Sequence, residues 1–273
     1  MLAVVPAARA ERFEVLPGWH GSHMRQDCKR QARPWGLGAT AIFAVVIAAV
    51  IVGVQLATEA LLLDFQAVDA DITGAGFLGL LLTVSTLVAA PVGIAMTLVA
   101  ARLRRGMTLA EYLALHVPRT ATVVHWVWYL LAFAALFHVA EYLLGRPFVT
   151  EFELKVFRTA YSVPLLLLAV VVAAPCLEEL FFRGFVFTGI LASRLGIVGA
   201  LLCTSAFWAI MHVTQYAPAE LVLIFLGGLL LGYARWKTRS IYVPIGLHAL
   251  WNLMSAIETM IELARSGVTP LTA

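Results

Sequence analysis

Long apolar runs recur along the whole chain and constrain its fold more than any other feature. Seven are recognisable, with approximate bounds 37–63, 75–101, 121–144, 161–191, 196–213, 219–236 and 241–263. Runs of about 18 or more apolar residues are typical of transmembrane helices, whereas membrane β-barrels show alternating segments of about ten residues. The composition agrees, since 62% of the residues are hydrophobic and 13% are charged, against about 25% charged in soluble domains. The sequence predicts an all-α, polytopic transmembrane helical bundle.

The distribution of Lys and Arg predicts the orientation of the bundle. Segment 1–36 contains six of these residues and further clusters lie in 102–119 and 235–239, whereas 64–74 and 214–218 contain none. Basic loops lie preferentially on the cytoplasmic side of a membrane. We therefore expect about seven spans with the N-terminus in the cytoplasm. Eight spans are possible if residues 159–192 cross twice.

Domain organisation follows from the same runs. We expect a polar N-terminal cytoplasmic segment at 1–36, a single transmembrane domain at 37–265 and a tail at 266–273. The catalytic core is predicted at about 159–263. Residues 107–119 suggest a short amphipathic helix on the surface, and 146–158 read as an outer loop with charges of both signs.

Three charged residues interrupt the fourth run: Glu178, Glu179 and Arg183. A charge at membrane depth costs roughly 2.5–3.5 kcal/mol even on lenient scales, so such groups face protein or water and usually have a function. Glu179 and Arg183 are four residues apart on one helix face and can pair. Glu178 points about 100° away and has no partner in its own helix. Pro175 predicts a kink in the fourth run, just before Glu178.

Three further polar side chains lie at comparable depth in later runs: His212, His248 and Asn252. A carboxylate near a histidine can take a proton from water, and the resulting nucleophile attacks a carbonyl. The oxyanion that forms needs preorganised donors, and an imidazole N–H and an amide NH₂ are suitable. The pattern therefore favours hydrolysis inside the membrane, with Glu178 meeting the two histidines in one cavity.

The polar residues form three motifs in chain order. They are EExxxR from Glu178 to Arg183, an aromatic-xxxH motif from Trp208 to His212, and HxxxN from His248 to Asn252. In this order on successive membrane helices, they resemble the CPBP family, which comprises the CAAX-processing and bacteriocin-processing intramembrane endopeptidases and includes type II CAAX prenyl protease-like proteins. Trp208 stands where the motif commonly has Phe.

The resemblance implies a role for each matched residue. Glu178 and His212 would activate water, and His248 and Asn252 would hold the oxyanion. The supporting residues would be Glu179, Arg183 and Trp208. The resemblance further implies a membrane-associated or lipidated peptide or protein substrate.

Metal dependence is an open alternative. Zinc sites generally use three protein ligands, and Glu178, His212 and His248 could converge as such a set. The chain lacks an HExxH motif, however, and Asn252 beside His248 suits an anion better than a cation. We favour a glutamate-type mechanism without a cofactor and keep Zn as the alternative.

Two non-enzymatic classes also keep polar groups in a membrane. A transporter uses them as substrate or proton sites, but here they cluster in the C-terminal half without a matching first-half set. A membrane immunity or assembly factor of the same family is the second alternative. Among proteases, a two-aspartate enzyme is excluded because every aspartate precedes residue 72.

The remaining expectations concern location and secondary features. We expect an integral membrane protein, most simply in a bacterial inner membrane, with the lipid bilayer as a partner and no nucleic acid. His138 can pair with Glu141, three residues on, and Gly227, Gly228 and Gly232 are expected to allow close helix approach. His20 and His23 are read as part of a solvated loop.

Overall fold

The computed structural model describes residues 33–68 and 77–267, and in these ranges the regular secondary structure is entirely helical. Predictions for residues 1–32, including His20 and His23, lie outside the described residues. The same holds for residues 69–74 of the predicted segment 64–74 without basic residues, and for 268–273 of the predicted tail.

Nine helical segments follow one another. We number them α1 (Leu37–Val68), α2 (Leu78–Arg102), α3 (Leu109–Leu113), α4 (Thr120–Leu143), α5 (Glu151–Arg158), α6 (Val163–Leu191), α7 (Gly196–Ile210), α8 (Pro218–Thr238) and α9 (Tyr242–Arg265) within the described ranges. α2 packs along α1 on one side and along α6 on the other, and α9 packs against α4, α5, α6 and α8.

Five of these helices are long and apolar enough to cross a membrane, namely α1, α2, α4, α6 and α8. The prediction of an all-α membrane protein is confirmed. The fifth and seventh predicted runs are helical too, as α7 and α9, but neither is among the five. α7 has only 15 residues, and α9 carries several polar and charged side chains along its 24 residues.

α6 is not a uniform α-helix. Two π-helical turns, Leu168–Ala173 and Leu180–Val186, flank a short α-helical stretch, Ala174–Glu179. The first π-helical turn immediately precedes Pro175, where the sequence predicts a kink. Proline has no N–H, and in an α-helix its ring clashes with the carbonyl four residues earlier. In a π-helical turn each N–H pairs with the carbonyl five residues earlier instead of four. Such turns occur frequently at functional sites.

The short amphipathic helix predicted within 107–119 is present as α3, with one face buried in the bundle and Glu111 exposed. Thr108 and Glu111 form a capping box at its start, and Tyr112 and Leu113 are fully buried in the bundle. The Tyr112 ring stacks on Phe185 of α6, with ring centroids 5.5 Å apart. Burial raises the pKa of Tyr112 to about 12. α3 is therefore part of the core that supports the second half of α6.

The predicted loop at 146–158 contains α5, which the sequence analysis missed. Thr150 and Glu153 form its capping box, and Val156 and Phe157 are buried against the bundle. Gly79 of α2 lies directly against this helix, and its amide donates to Thr159 Oγ1 at 2.7 Å. α5 is thus packed against the membrane helices.

Replacing Gly79 by alanine is expected to destabilise the protein by about 1–3 kcal/mol, because an added methyl group overpacks a filled contact. A Cβ atom at Gly79 would lie 2.1 Å from the Val156 carbonyl oxygen, which is backbone and cannot rotate away. The measurement is thermal unfolding of the purified protein in detergent.

Gly53→Ala is the matched control, since a Cβ at Gly53 of α1 has open space around it. Helix propensity alone should leave that variant unchanged or stabilise it by up to about 1 kcal/mol. Equal unfolding temperatures for the two variants would contradict the close packing of α2 on α5.

The glycines of α8 allow close helix approach, as the sequence predicts. A Cβ at Gly227 would lie 2.0 Å from the Trp251 ring of α9, and one at Gly228 would lie 2.9 Å from Ser205 Cβ of α7. α7, α8 and α9 therefore pack closely around the second half of α6, where the polar residues lie.

Candidate active site

The two adjacent glutamates occupy the short α-helical stretch between the two π-helical turns of α6. Because they are neighbours, their side chains leave the helix about 100° apart. Glu179 is fully buried, whereas Glu178 is half-buried. The pair therefore divides into an internal carboxylate and an accessible one.

Glu179 and Arg183 form a buried ion pair. Arg183 Nη1 donates to Glu179 Oε1 at 2.9 Å, and neither side chain has any exposed surface. The pairing predicted from the four-residue spacing is present. Arg183 also donates from Nη2 to the Gly228 carbonyl at 3.2 Å, so the guanidinium connects α6 with α8. A buried charge pair is tolerated only with such additional hydrogen bonds.

His248 is held by the same carboxylate. Its Nδ1 lies 3.0 Å from Glu179 Oε1, and the residue is 4% exposed. Glu179 accepts from Arg183 at this same oxygen, and the same acceptor takes the N–H of His248 Nδ1. Nε2 of the neutral ring would then present a lone pair. Only the imidazolium form can donate from Nε2.

His212 lies in the turn after α7 and not inside a helix, because α7 ends at Ile210. Its Nδ1 is 2.8 Å from the Trp208 carbonyl oxygen. A carbonyl only accepts hydrogen bonds, so Nδ1 is protonated and Nε2 of the neutral ring has a lone pair. The half-buried His212 ring is therefore oriented to accept a proton at Nε2.

Trp208 lies at the centre of the group. Its indole Nε1 donates to Glu178 Oε2 at 2.5 Å, and its ring makes edge contacts with His212 and His248, at centroid distances of 5.5 and 5.2 Å. The Arg183 guanidinium lies 4.6 Å from the ring centroid. One buried side chain thus contacts four of the predicted site residues. The resemblance implies a supporting role for Trp208, but it does not predict that the indole donates to Glu178.

Asn252 contacts the backbone of α6. Its Nδ2 donates to the Val170 carbonyl at 2.7 Å. In the first π-helical turn, Ala174 N–H bonds to the carbonyl five residues earlier, Ala169. In the same register the Val170 carbonyl would pair with residue 175, which is a proline without an N–H. Asn252 supplies the missing donor, and its second N–H is left for another acceptor.

The predicted site residues thus separate into two layers. Glu178, His212 and Asn252 are half-buried, whereas Glu179, Arg183, Trp208 and His248 are buried. Sequence reasoning missed two backbone groups that hold this arrangement, the carbonyls of Val170 and Gly228. Pro175 is the signal that could have indicated the first, and the Gly227–Gly228 pair the second.

The zinc alternative requires Glu178, His212 and His248 to converge on one point. In the described part of the chain, the structure gathers no set of three His, Cys, Asp or Glu side chains that could hold a metal ion. Nδ1 of each imidazole is engaged, by Glu179 and by the Trp208 carbonyl, which leaves Nε2 of each ring as the nitrogen that a metal could take. Zinc dependence stays an alternative to the metal-free mechanism.

A second polar cluster lies outside this site. His138 Nδ1 is 3.2 Å from Glu141, as the sequence predicts, and Nε2 is 3.1 Å from Glu258 of α9. The second carboxylate was not predicted. The cluster connects α4 with α9, a structural role for polar groups in membrane bundles.

Trp208→Phe is expected to lower kcat/KM for peptide cleavage by about 10- to 100-fold. Phenylalanine keeps the ring contacts but removes the N–H donor to Glu178, and a hydrogen bond to a charged group contributes about 1.5–3 kcal/mol. The measurement is cleavage kinetics, accompanied by thermal unfolding. Trp126→Phe makes the same change at another buried tryptophan, and its kcat/KM should match the wild type. Unchanged kcat/KM in Trp208→Phe would show that the indole donor has no part in the reaction.

Comparison with known proteins identifies the segment that carries these residues. The family model described as type II CAAX prenyl endopeptidase Rce1-like matches residues 160–254, about a third of the chain. The match contains all seven candidate site residues. Neither the curated proteins nor the solved structures gave a match to the chain. The resemblance predicted from the three motifs is confirmed, since residues 160–254 match the family model of the Rce1-like type II CAAX prenyl endopeptidases, which are peptide hydrolases.

Proposed function

We propose that this protein is an intramembrane endopeptidase of the glutamate type. The observation that supports the proposal best is the position of Glu178. It is the half-buried carboxylate of the pair, it accepts from Trp208, and the Trp208 ring contacts both histidines. Glu179 and Arg183 are fully buried beside it and fill a supporting role. The Rce1-like family model over the same segment supports a protease.

Water activation is assigned to Glu178 and His212. The carboxylate takes a proton from water while the Nε2 lone pair of His212 accepts a hydrogen bond from the same water, and the oxygen attacks the peptide carbonyl. The proton then passes from Glu178 to the leaving amine as the C–N bond breaks. General base catalysis of this kind contributes about 10²–10⁴-fold.

Oxyanion stabilisation is assigned to His248 and Asn252. Because Nδ1 of His248 already donates to Glu179, the residue can offer a second donor only as an imidazolium. The oxyanion itself supplies the negative charge that balances the imidazolium, because Glu179 is already paired with Arg183. Asn252 contributes its second N–H, since the first is bonded to Val170. A donor of this type contributes about 2.7–4 kcal/mol to catalysis.

The topology is proposed from the charges and helices together. With α7 and α9 added to the five long apolar helices, the chain has seven spans and a cytoplasmic N-terminus. The end of the bundle with Arg102, Arg104, Arg105 and Arg239 would then face the cytoplasm. This arrangement suits a bacterial inner membrane. The substrate would be a membrane-associated or lipidated peptide, and nucleic acid has no part in the proposal.

The test is cleavage of defined peptides by the purified protein in liposomes. The panel contains a prenylated C-terminal tail and the same peptide without its lipid, each incubated with the membrane-embedded protein. Mass spectrometry is expected to find new peptide termini with the prenylated peptide. If both peptides stay intact, the assay is repeated with membrane-anchored peptides. The absence of cleavage across the panel would contradict the protease assignment.

Metal chelators are expected to leave the cleavage rate unchanged, because the proposed mechanism moves the proton between water, Glu178 and the leaving group without a Lewis acid. The measurement is the rate in liposomes before and after incubation with EDTA and with a zinc-selective chelator. Loss of activity that zinc alone restores would assign the reaction to the zinc alternative.

A further inference from the structure

A cavity whose lining includes none of the candidate active-site residues lies at the basic end of α8. Its volume is about 580 Å³, and it lies between α3, the end of α6 and the end of α8. The charged and titratable side chains that line it are Glu111, His116, Arg235, Lys237 and Arg239. Three cations therefore share one cavity with a single carboxylate.

Arg235 is the unusual member of this set. The residue is 7% exposed, and its Nε is buried without a hydrogen-bond partner. Its guanidinium makes a long hydrogen bond, from Nη2 to Thr188 Oγ1 at 3.5 Å. Within the described ranges, Arg235 takes part in no salt bridge. A buried charge is normally paired, because leaving it unpaired costs several kcal/mol.

The one carboxylate that lines the cavity, Glu111, already accepts hydrogen bonds from Thr108. Glu111 Oε2 accepts from the Thr108 backbone N–H at 2.7 Å and from the Thr108 hydroxyl at 2.9 Å. These hydrogen bonds lower the pKa of Glu111, so it stays ionised as the α3 cap. The C-terminus of α8 also attracts cations. That attraction accounts for basic residues at this helix end, but it does not supply an acceptor for the buried Nε.

The surroundings place this cavity at the level of membrane headgroups. Trp236 and Tyr233 are exposed on α8, and the Lys237 ammonium lies over both rings, at 4.8 and 5.5 Å from their centroids. Exposed Trp and Tyr of this kind form belts at the membrane–water interface. Basic pockets between membrane helices on the cytoplasmic side are suited to anionic lipid headgroups.

We propose that this cavity binds a phosphate group, carried by the headgroup of an anionic phospholipid, and that the Arg235 guanidinium is its principal contact. A guanidinium offers a planar set of donors that matches phosphate oxygens. Lys237 and Arg239 add positive charge at the rim. The bound headgroup gives the Arg235 guanidinium a counter-charge and ties the end of α8 to α3 and α6.

The experiment is thermal unfolding of the full-length protein in neutral detergent. Three additions are compared at equal ionic strength: phosphatidylglycerol, phosphatidylcholine and inorganic phosphate. A ligand that binds only the folded state raises the unfolding temperature, here by at least about 3 °C near saturation. We expect this shift with phosphatidylglycerol alone. Native mass spectrometry should then show one retained phosphatidylglycerol per protein.

Variants locate the effect. Arg235→Gln is expected to lose the phosphatidylglycerol shift, whereas Arg105→Gln should keep it, since Arg105 is an exposed residue at the same end of the bundle that does not line the cavity. If Arg235→Gln does not fold, the double variant Lys237→Gln, Arg239→Asn takes its place, and the expected result is at least a halved shift. Asparagine is chosen because residue 239 has a positive φ of 52°, which asparagine tolerates well.

Each other outcome rejects part or all of the proposal. Equal shifts with phosphatidylglycerol and phosphatidylcholine in the wild type would overturn the anion site. A shift of equal size with inorganic phosphate would overturn the lipid assignment and leave free phosphate as the ligand. A full phosphatidylglycerol shift in Arg235→Gln, or in the double variant where that replaces it, would place lipid binding elsewhere.

Discussion

Glu178→Gln is expected to lower kcat/KM for peptide cleavage by about 10³-fold, within the range of a lost general base. Glutamine has the same shape, and its Oε1 can still accept the Trp208 N–H. The hydrogen bond seen at 2.5 Å is therefore kept. What is removed is the capacity to take a proton from water. Kinetics in liposomes measure the loss, and thermal unfolding checks that the variant is folded.

Glu262→Gln is the control for this substitution. Glu262 is an exposed residue of α9 that pairs at 3.9 Å with Arg265 near the helix end, so its variant should cleave at the wild-type rate. Wild-type cleavage by Glu178→Gln would reject the proposed mechanism. If the protein proves to have a cellular role that persists in Glu178→Gln without cleavage, a non-catalytic assembly or immunity factor becomes the better assignment.

Arg183→Met is expected to destabilise the protein by about 3–5 kcal/mol, because it leaves Glu179 as an uncompensated charge in a fully buried site. The change also removes the donor to the Gly228 carbonyl and the cation over the Trp208 ring. For a chain of this size such a loss corresponds to roughly 6–20 °C in unfolding temperature. Thermal unfolding in detergent is the measurement.

A double variant distinguishes two causes of the destabilisation: the unpaired charge of Glu179 and the lost packing of Arg183. In Glu179→Gln, Arg183→Met both charges are absent, so the unfolding temperature should recover part of the loss seen in Arg183→Met. Arg265→Met breaks an exposed pair and should cost at most about 1 kcal/mol. If the double variant is less stable than Arg183→Met, the cause is lost packing and hydrogen bonds rather than charge.

Local sequence rules correctly predict the long apolar helices and the ion pair within α6. Apolar runs give the helices of the bundle because their backbone groups are satisfied within each segment. The Glu179–Arg183 pair follows from the four-residue spacing, and its 2.9 Å contact needs only one regular turn. The three motifs likewise gave the family of residues 160–254.

Contacts between helices were not predictable in the same way. The Trp208 N–H reaches Glu178 across 30 residues of sequence, and His138 reaches Glu258 across 120. Both depend on how helices are rotated against each other. α5 was missed because its charged residues resemble a loop, although Thr150 and Glu153 have the spacing of a capping box. His212 was assigned to a helix because the run stays apolar beyond Ile210.

The irregular register of α6 has a consequence for changes in chain length. A π-helical turn holds one more residue than the α-helical turn that it replaces, so α6 is equivalent to an α-helix with two single-residue insertions, one on each side of the glutamates. Removing one residue from Leu168–Ala173 would restore regular α-helical hydrogen bonding in this turn. It would also rotate the preceding turn by about 100° relative to Glu178. The Val170 carbonyl would then no longer point at Asn252. The number of residues in Leu168–Ala173 therefore sets how the two ends of α6 are rotated about the helix axis relative to each other. It also sets whether Asn252 of α9 can reach the Val170 carbonyl.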